Sequence, residues 1–97
     1  MKLRYTRTAL RQIEEALSYI AARSPQGAAG MRGRILATAA LVRDHPLAAQ
    51  ATDRPNTRRV TLTPCPYVMF HRVVADEVVI LRLRHSARRP PSEAGRT

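Results

Sequence analysis

The spacing of apolar and polar residues changes along the chain, and each change predicts an element of secondary structure. Residues 2–6 alternate polar and apolar side chains of β-favouring types, which is typical of a short strand. From Ala9 to Ala21 the apolar residues recur at helical spacing, so this segment is predicted to form a helix. Thr6 or Thr8 is placed to cap its N-terminus.

Ser24 and Pro25 predict the start of a second helix, because serine is a favoured N-cap and proline is tolerated at the first helical position. The helical spacing continues to about residue 44, and two helices joined by so short a connection form an antiparallel hairpin. Three glycines each cost this helix roughly 1 kcal/mol relative to alanine: Gly27, Gly30 and Gly33. We expect close approach to the first helix to offset that cost.

Three segments after a predicted loop at residues 46–57 have the composition and alternation of β-strands: Arg58–Thr63, Tyr67–Val74 and Val78–His85. Their short connections predict an antiparallel meander. The N-terminal strand is expected to join it, at a position that the sequence does not fix, to give a four-stranded antiparallel sheet. With the helical hairpin packed on one face of that sheet, the predicted fold class is α+β.

Strict alternation along the last strand predicts which of its side chains face the core. The core face would carry Val79, Leu81 and Leu83, and the open face would carry Val78, Ile80, Arg82 and Arg84. Arg59 and Arg72 of the neighbouring strands are expected to join the open face. The sequence therefore predicts a basic open surface with an exposed apolar patch that a partner would cover.

The charge of the chain favours an acidic partner or a polyanion. The 97 residues are enough for one domain, which we place at residues 1–90, followed by a frayed tail at residues 91–97. They include 17 lysines and arginines against 7 acidic residues, a net charge of +10. Such a charge repels itself in the folded protein and attracts nucleic acid or acidic proteins.

The sequence predicts no cofactor, metal site or membrane span. Its one cysteine, Cys65, is consistent with a reducing cytoplasm, and no apolar run approaches the ~18 residues of a spanning helix. The three histidines lack metal-ligand spacing, and the carboxylates are not clustered. By alternation, His71 is predicted to pack inward and His85 to lie on the core side of the last strand. Because of the single cysteine and the lack of a long apolar run, the protein is expected in the cytoplasm.

Several short segments occur in a distinctive order between residues 3 and 90. They are Leu3-Arg4-Tyr5-Thr6, Ser24-Pro25, His45-Pro46, Arg58-Arg59-Val60, Tyr67-Val68-Met69-Phe70 and the run from Val79 to Arg88. Together they resemble the RelE/ParE toxin superfamily. The last run is the most specific, because it is similar to the I-L-R-x-x-H-G-A-R ending of ParE-type proteins, with Ser86 in place of the glycine.

The resemblance implies a toxin neutralised by an antitoxin, and residue matching favours the ParE-type branch, which inhibits DNA gyrase. RelE-type toxins cut mRNA on the ribosome, with an arginine where this chain has Val68 and a C-terminal tyrosine that falls near Ala94. Of their basic residues, the arginine that ends the last strand is matched by Arg88. The basic pair on the first strand of the meander is half kept, with Arg59 basic and Thr61 not. We therefore expect a binding inhibitor without catalytic residues, whose antitoxin contributes an apolar, acidic segment to the groove beside the helices.

The open face and the C-terminal strand are the expected contact surface for target and antitoxin. Its residues would be Arg59, Arg72, Val78, Ile80, Arg82, Arg84, Arg88 and Arg89. One alternative is a RelE-like ribosome-dependent mRNA endoribonuclease, for which Arg59, His85 and Arg88 are the catalytic candidates. Another is a decayed toxin that only binds its antitoxin in autoregulation.

Overall fold

Two helices pack on one face of a mostly antiparallel sheet in a computed structural model that describes residues 1–87. The elements are β1 (Lys2–Tyr5), α1 (Arg7–Ala21), α2 (Pro25–Asp44), β2 (Gln50–Ala51), β3 (Arg58–Thr61), β4 (Tyr67–Val74) and β5 (Glu77–His85). The predicted α+β class is confirmed. Arg88, Arg89 and the tail predicted at residues 91–97 lie outside the described residues.

The sheet has five strands in the order β1-β5-β4-β3-β2, where four were predicted. The additional strand, β2, formed inside the predicted loop, where Gln50 and Ala51 pair with Arg59 and Arg58. The Arg58 guanidinium holds this segment by donating to the Ala49 carbonyl at 2.7 Å. β1 lies at the opposite edge and pairs parallel to β5, whereas the other pairs are antiparallel.

Side-chain caps fix the starts of both helices, as the sequence predicted. The Thr6 hydroxyl accepts from the Ala9 amide at 3.0 Å, and the Ser24 hydroxyl accepts from the Gly27 amide at 3.0 Å. Each bond satisfies one of the amide groups that the first turn of a helix leaves without a partner. The helical hairpin is thereby held at both entrances.

The core lies between the helices and the inner face of the sheet. Its buried residues include Ala9 and Ala16 of α1, Met31, Ile35, Ala39 and Val42 of α2, and Met69, Val78, Ile80 and Leu83 of the sheet. The alanines of α1 allow it to lie close to β5, and the larger residues of α2 and the sheet fill the remaining volume. Removal of this apolar surface from water drives folding.

Val78 and Ile80 are both fully buried in this core, so their predicted exposure on the open face is wrong. Val79, predicted on the core face, pairs with Arg72 and lies on the open face, so that prediction is wrong as well. The cause is a β-bulge in β5: Phe70 pairs with Arg82 while the next residue, His71, pairs with Ile80. Leu81 therefore has no partner in β4, and the alternation reverses there. Strict alternation from one end of the strand to the other could not reproduce this reversal.

Two side chains, those of the N-cap residue Thr6 and of Gln12 in α1, satisfy backbone groups around the bulge. The Thr6 hydroxyl donates to the Leu81 carbonyl at 2.8 Å, and the Gln12 side-chain oxygen accepts from the Leu83 amide at 2.9 Å. Because an unpaired buried backbone group is costly, these bonds stabilise the irregular register. The start of α1 therefore stabilises the irregular part of β5.

The glycines of α2 differ from the expectation of close helix approach. A Cβ atom at Gly27 would lie 3.3 Å from the Ile20 side chain, which agrees with close contact there. Nothing lies within 4 Å of a Cβ at Gly30 or Gly33, and both residues are exposed. The expectation is therefore wrong for those two positions.

Candidate functional site

The face of the sheet turned away from the helices carries an arginine cluster, here called the basic face. It consists of Arg59 of β3, Arg72 of β4, and Arg82 and Arg84 of β5. The register places Phe70 between Arg59 and Arg82, at the centre of the cluster. All four arginines were predicted to share the open face, and the structure places them there.

Phe70 organises the basic face. Its ring is only 4% exposed, because the guanidinium carbons of Arg82 and Arg84 lie 4.6 and 4.9 Å from the ring centroid. Both distances allow a cation–π interaction, which orients the two planar groups over the ring. Buried Val68 and Val79 complete an apolar floor beneath the charges.

Among the described residues of its strands, the basic face has few carboxylates to balance its positive charge. In the described part of these strands, the carboxylate on this face is Glu77, which Arg4 contacts at 3.0 Å at the sheet edge. The Nε of Arg59 is buried and has no hydrogen-bond partner among the described residues. Arginine binds carboxylates and phosphates through paired N–H donors, so this face is chemically suited to an anionic partner.

His85 does not lie on the basic face. It pairs with Tyr67, on the helix-facing side of the sheet, and the two rings contact edge to face with centroids 5.1 Å apart. Its Nδ1 accepts from the Ala87 amide at 3.1 Å. The alternative catalytic set of Arg59, His85 and Arg88 is therefore not brought together: the first two lie on opposite faces, and the third lies outside the described residues.

His71 has a structural position, as alternation predicted. It is fully buried, and its Nε2 lies 3.1 Å from the Pro46 carbonyl, so it ties β4 to the end of the helical hairpin. Burial lowers the pKa of this imidazole; the bond to Pro46 acts in the opposite direction, and the charge of nearby Arg58 lowers the pKa further. The ring therefore has a structural role in the core.

A second surface is an apolar groove of about 220 Å³ between β1 and the helical hairpin. Tyr5, Leu10, Ile13, Leu17, Arg32, Ile35 and Leu36 line it. Leu10 is 51% exposed and Leu36 is 60% exposed, while burial raises the pKa of the Tyr5 hydroxyl. The sequence predicted a groove beside the helices but did not identify the residues that line it. Leu10 and Leu36 could have indicated it, because they are large apolar side chains outside the predicted apolar faces of their helices.

Residues 1–87 carry no metal-binding cluster and no membrane-spanning helix. No group of three or more histidine, cysteine, aspartate or glutamate side chains is placed to hold a metal ion. Within residues 1–87, neither helix has the length and apolar character to cross a bilayer.

Residues 3–90 match a protein-family model described as "ParE toxin of type II toxin-antitoxin system, parDE". The toxin candidate Y4kP of Sinorhizobium fredii is 29% identical over 90 residues, which cover 93% of each protein. The fold is similar to that of the chromosomal ParDE TA system from P. aeruginosa (TM-score 0.75, 22% identity, 88% of this chain and 95% of that one). It is also similar to the isolated E. coli RelE toxin (TM-score 0.66, 17% identity, 98% and 95%).

Proposed function

Because the chain belongs to the ParE toxin family of type II toxin–antitoxin systems, we propose that it inhibits DNA gyrase in the cytoplasm and is neutralised by a cognate antitoxin. The family match also confirms the predicted resemblance to the RelE/ParE superfamily and its ParE-type branch. That match over nearly the whole chain is the observation that carries the proposal. The inhibition would act by binding, with no covalent step performed by the toxin.

The geometry of the basic face supports binding over RNA cleavage. Cleavage requires a base for the 2′-hydroxyl and an acid for the leaving oxygen. Arginine holds its proton and serves neither role well. Within the described strands the basic face offers Arg59, Arg72, Arg82 and Arg84, whereas His85 lies on the other side of the sheet. Val68, at the position of a RelE-type arginine, is buried.

The apolar groove is the proposed docking site of the antitoxin. A toxin of this family works in a complex with an antitoxin. The groove exposes leucine side chains, and their removal from water by a bound partner would be favourable. Arg32 at the rim would pair with an acidic residue of the partner. The basic face, on the opposite side of the sheet, is the proposed contact for the inhibited enzyme.

Pulse-labelling of cells after toxin induction tests the proposed target. If gyrase is inhibited, incorporation of labelled thymidine should stop first, while incorporation of labelled methionine continues. Co-expression of the antitoxin should restore thymidine incorporation. An immediate stop in methionine incorporation, with ribosome-dependent cleavage of mRNA, would overturn the proposal in favour of a RelE-like activity.

A further inference from the structure

A cleft of about 360 Å³ lies at the edge of the basic face, with which it shares Arg72 and Arg82, between the start of α1 and the loop that precedes β3. Its polar lining comes from Thr6, Thr8, Arg54, Thr57, Arg72 and Arg82, and Leu81 completes it. Three of these residues are arginines, contributed by a loop and two different strands. No carboxylate is among the described residues that line the cleft.

The loop that carries Arg54 is held in place by its own hydrogen bonds. The Thr52 hydroxyl accepts from the Arg54 amide at 3.2 Å and donates to the Thr57 carbonyl at 2.9 Å. The Asn56 side chain, from a residue with φ of 55°, donates to the Val73 carbonyl of β4 at 2.7 Å. The loop backbone is therefore anchored to the sheet, and it places Arg54 in the lining of the same cleft as Arg72.

Arg54 and Arg72 form no ion pair with the described residues. The ion pairs among residues 1–87 are formed by Arg4, Arg11 and Arg43. The side chains of Arg54 and Arg72 are both exposed. Holding like charges near one another is unfavourable in the free protein, and an anion in the cleft would relieve that repulsion.

We propose that this cleft binds the phosphodiester backbone of double-stranded nucleic acid. Arginine guanidinium groups, threonine hydroxyls and the start of a helix are the groups that proteins use to contact backbone phosphates. All three kinds meet here, in Arg54, Arg72 and Thr8. The toxin would thereby touch nucleic acid directly, independently of which enzyme it inhibits.

The lining favours a duplex over a single strand or an acidic protein segment. Single-strand sites stack bases on aromatic side chains, but none of the described lining residues is aromatic, and Phe70 nearby is 4% exposed. Protein segments bind through apolar anchors, and Leu81 is the sole large apolar residue among the described lining. Backbone contacts alone predict binding with little sequence preference.

Fluorescence anisotropy tests the proposal with the full-length protein, freed of its antitoxin, and a labelled DNA duplex of about 20 base pairs. The test variant is Arg54→Gln/Arg72→Gln. The control is Arg11→Gln/Arg34→Gln, which removes the same charge from exposed positions on the two helices. Circular dichroism of both variants checks that the fold is intact. Salt titrations of each give the number of phosphate contacts.

The cleft variant should bind the duplex about tenfold more weakly, and its slope of log affinity against log salt should be smaller by about 2. The control should keep both the affinity and the slope of the unmodified protein. Equal weakening of the two variants would overturn the proposal, because it would reflect net charge alone. Polyglutamate binding as tightly as the duplex, with the same loss in the cleft variant, would instead assign the cleft to an acidic protein segment.

Discussion

At the scale of single residues, burial and strand face decide the roles of the two histidines in the sheet. His71 is fully buried, with its Nε2 3.1 Å from the Pro46 carbonyl, and this burial is the main cause of its lowered pKa. His85 is half-buried against Tyr67 and faces away from the arginines that would accompany it in catalysis. Neither position provides a proton donor or acceptor on the basic face.

Stability should fall in mild acid because of His71. Burial lowers the pKa of His71 below the 6.5 expected in the unfolded chain, so the unfolded state binds more protons as the pH drops. The contribution of His71 is fully present above about pH 6.5 and is lost as the pH falls from there toward its folded pKa. Urea unfolding at a series of pH values measures this slope.

The His71→Gln variant should lack that component of the pH dependence, and it should be less stable by roughly 1–3 kcal/mol at neutral pH if its bond to Pro46 is lost. His45→Gln, at an exposed histidine, is the control and should keep the slope. An unchanged slope in His71→Gln would show that another group produces the effect.

At the scale of elements, the β-bulge in β5 causes the largest difference between the predicted and the observed strand faces. Alternation predicted the open face for Arg82 and Arg84 and, in the same argument, for Val78 and Ile80. The unpaired Leu81 separates the two halves, so both halves bury apolar residues. Periodicity identified the helices and the central strand, and residue type identified the helix caps, because these features depend on the local sequence. A bulge depends on pairing and on partners in α1, which spacing does not encode.

Replacement of Gln12 tests the support of the bulge. Gln12→Leu removes the acceptor of the buried Leu83 amide and should lower the free energy of unfolding by roughly 1–3 kcal/mol. Gln26→Leu, at an exposed position of α2, is the matched control and should have little effect. Chemical denaturation of both variants gives the comparison; equal stabilities would mean that this bond contributes nothing.

Replacement of two glycines of α2 should raise the free energy of unfolding, whereas Gln12→Leu should lower it. Gly30→Ala and Gly33→Ala should each stabilise the protein by up to about 1 kcal/mol, because both sites are exposed and open. Gly27→Ala should give no such gain, since its Cβ would lie 3.2 Å from the Ser24 hydroxyl oxygen. Thermal unfolding should show an increase of about 4–8 °C in Tm for each kcal/mol. Destabilisation by Gly30→Ala would indicate a contact absent from this structure.

Two chemically different surfaces lie on opposite sides of the whole molecule. The helical side has an apolar groove, and the open side has the basic face. The sequence predicted the arginines of the open side because strand alternation places Arg59 and Arg72 together. It did not predict Leu10 and Leu36 as groove residues, because the groove exists only where α1, α2 and β1 meet. The binding roles of both surfaces remain predictions.

The leucines of α2 provide a matched test of the groove. Leu36→Glu places a charge in the groove, whereas Leu41→Glu places the same charge on the same helix at a residue that does not line it. The two leucines are 60% and 57% exposed, so neither change should disturb folding. Leu36→Glu should weaken antitoxin binding by about 30-fold, as loss of an interface anchor does, and Leu41→Glu should leave it unchanged. Calorimetric titration with the antitoxin decides; equal affinities would remove the groove from the interface.

The most direct test of the central claim is incubation of the toxin with DNA gyrase, ATP and supercoiled plasmid, with linear plasmid as the readout. Accumulation of linear DNA that rises with toxin concentration, and is abolished by the cognate antitoxin, is the predicted result. Normal gyrase activity at an excess of folded toxin, with no linear DNA, would contradict the proposed function.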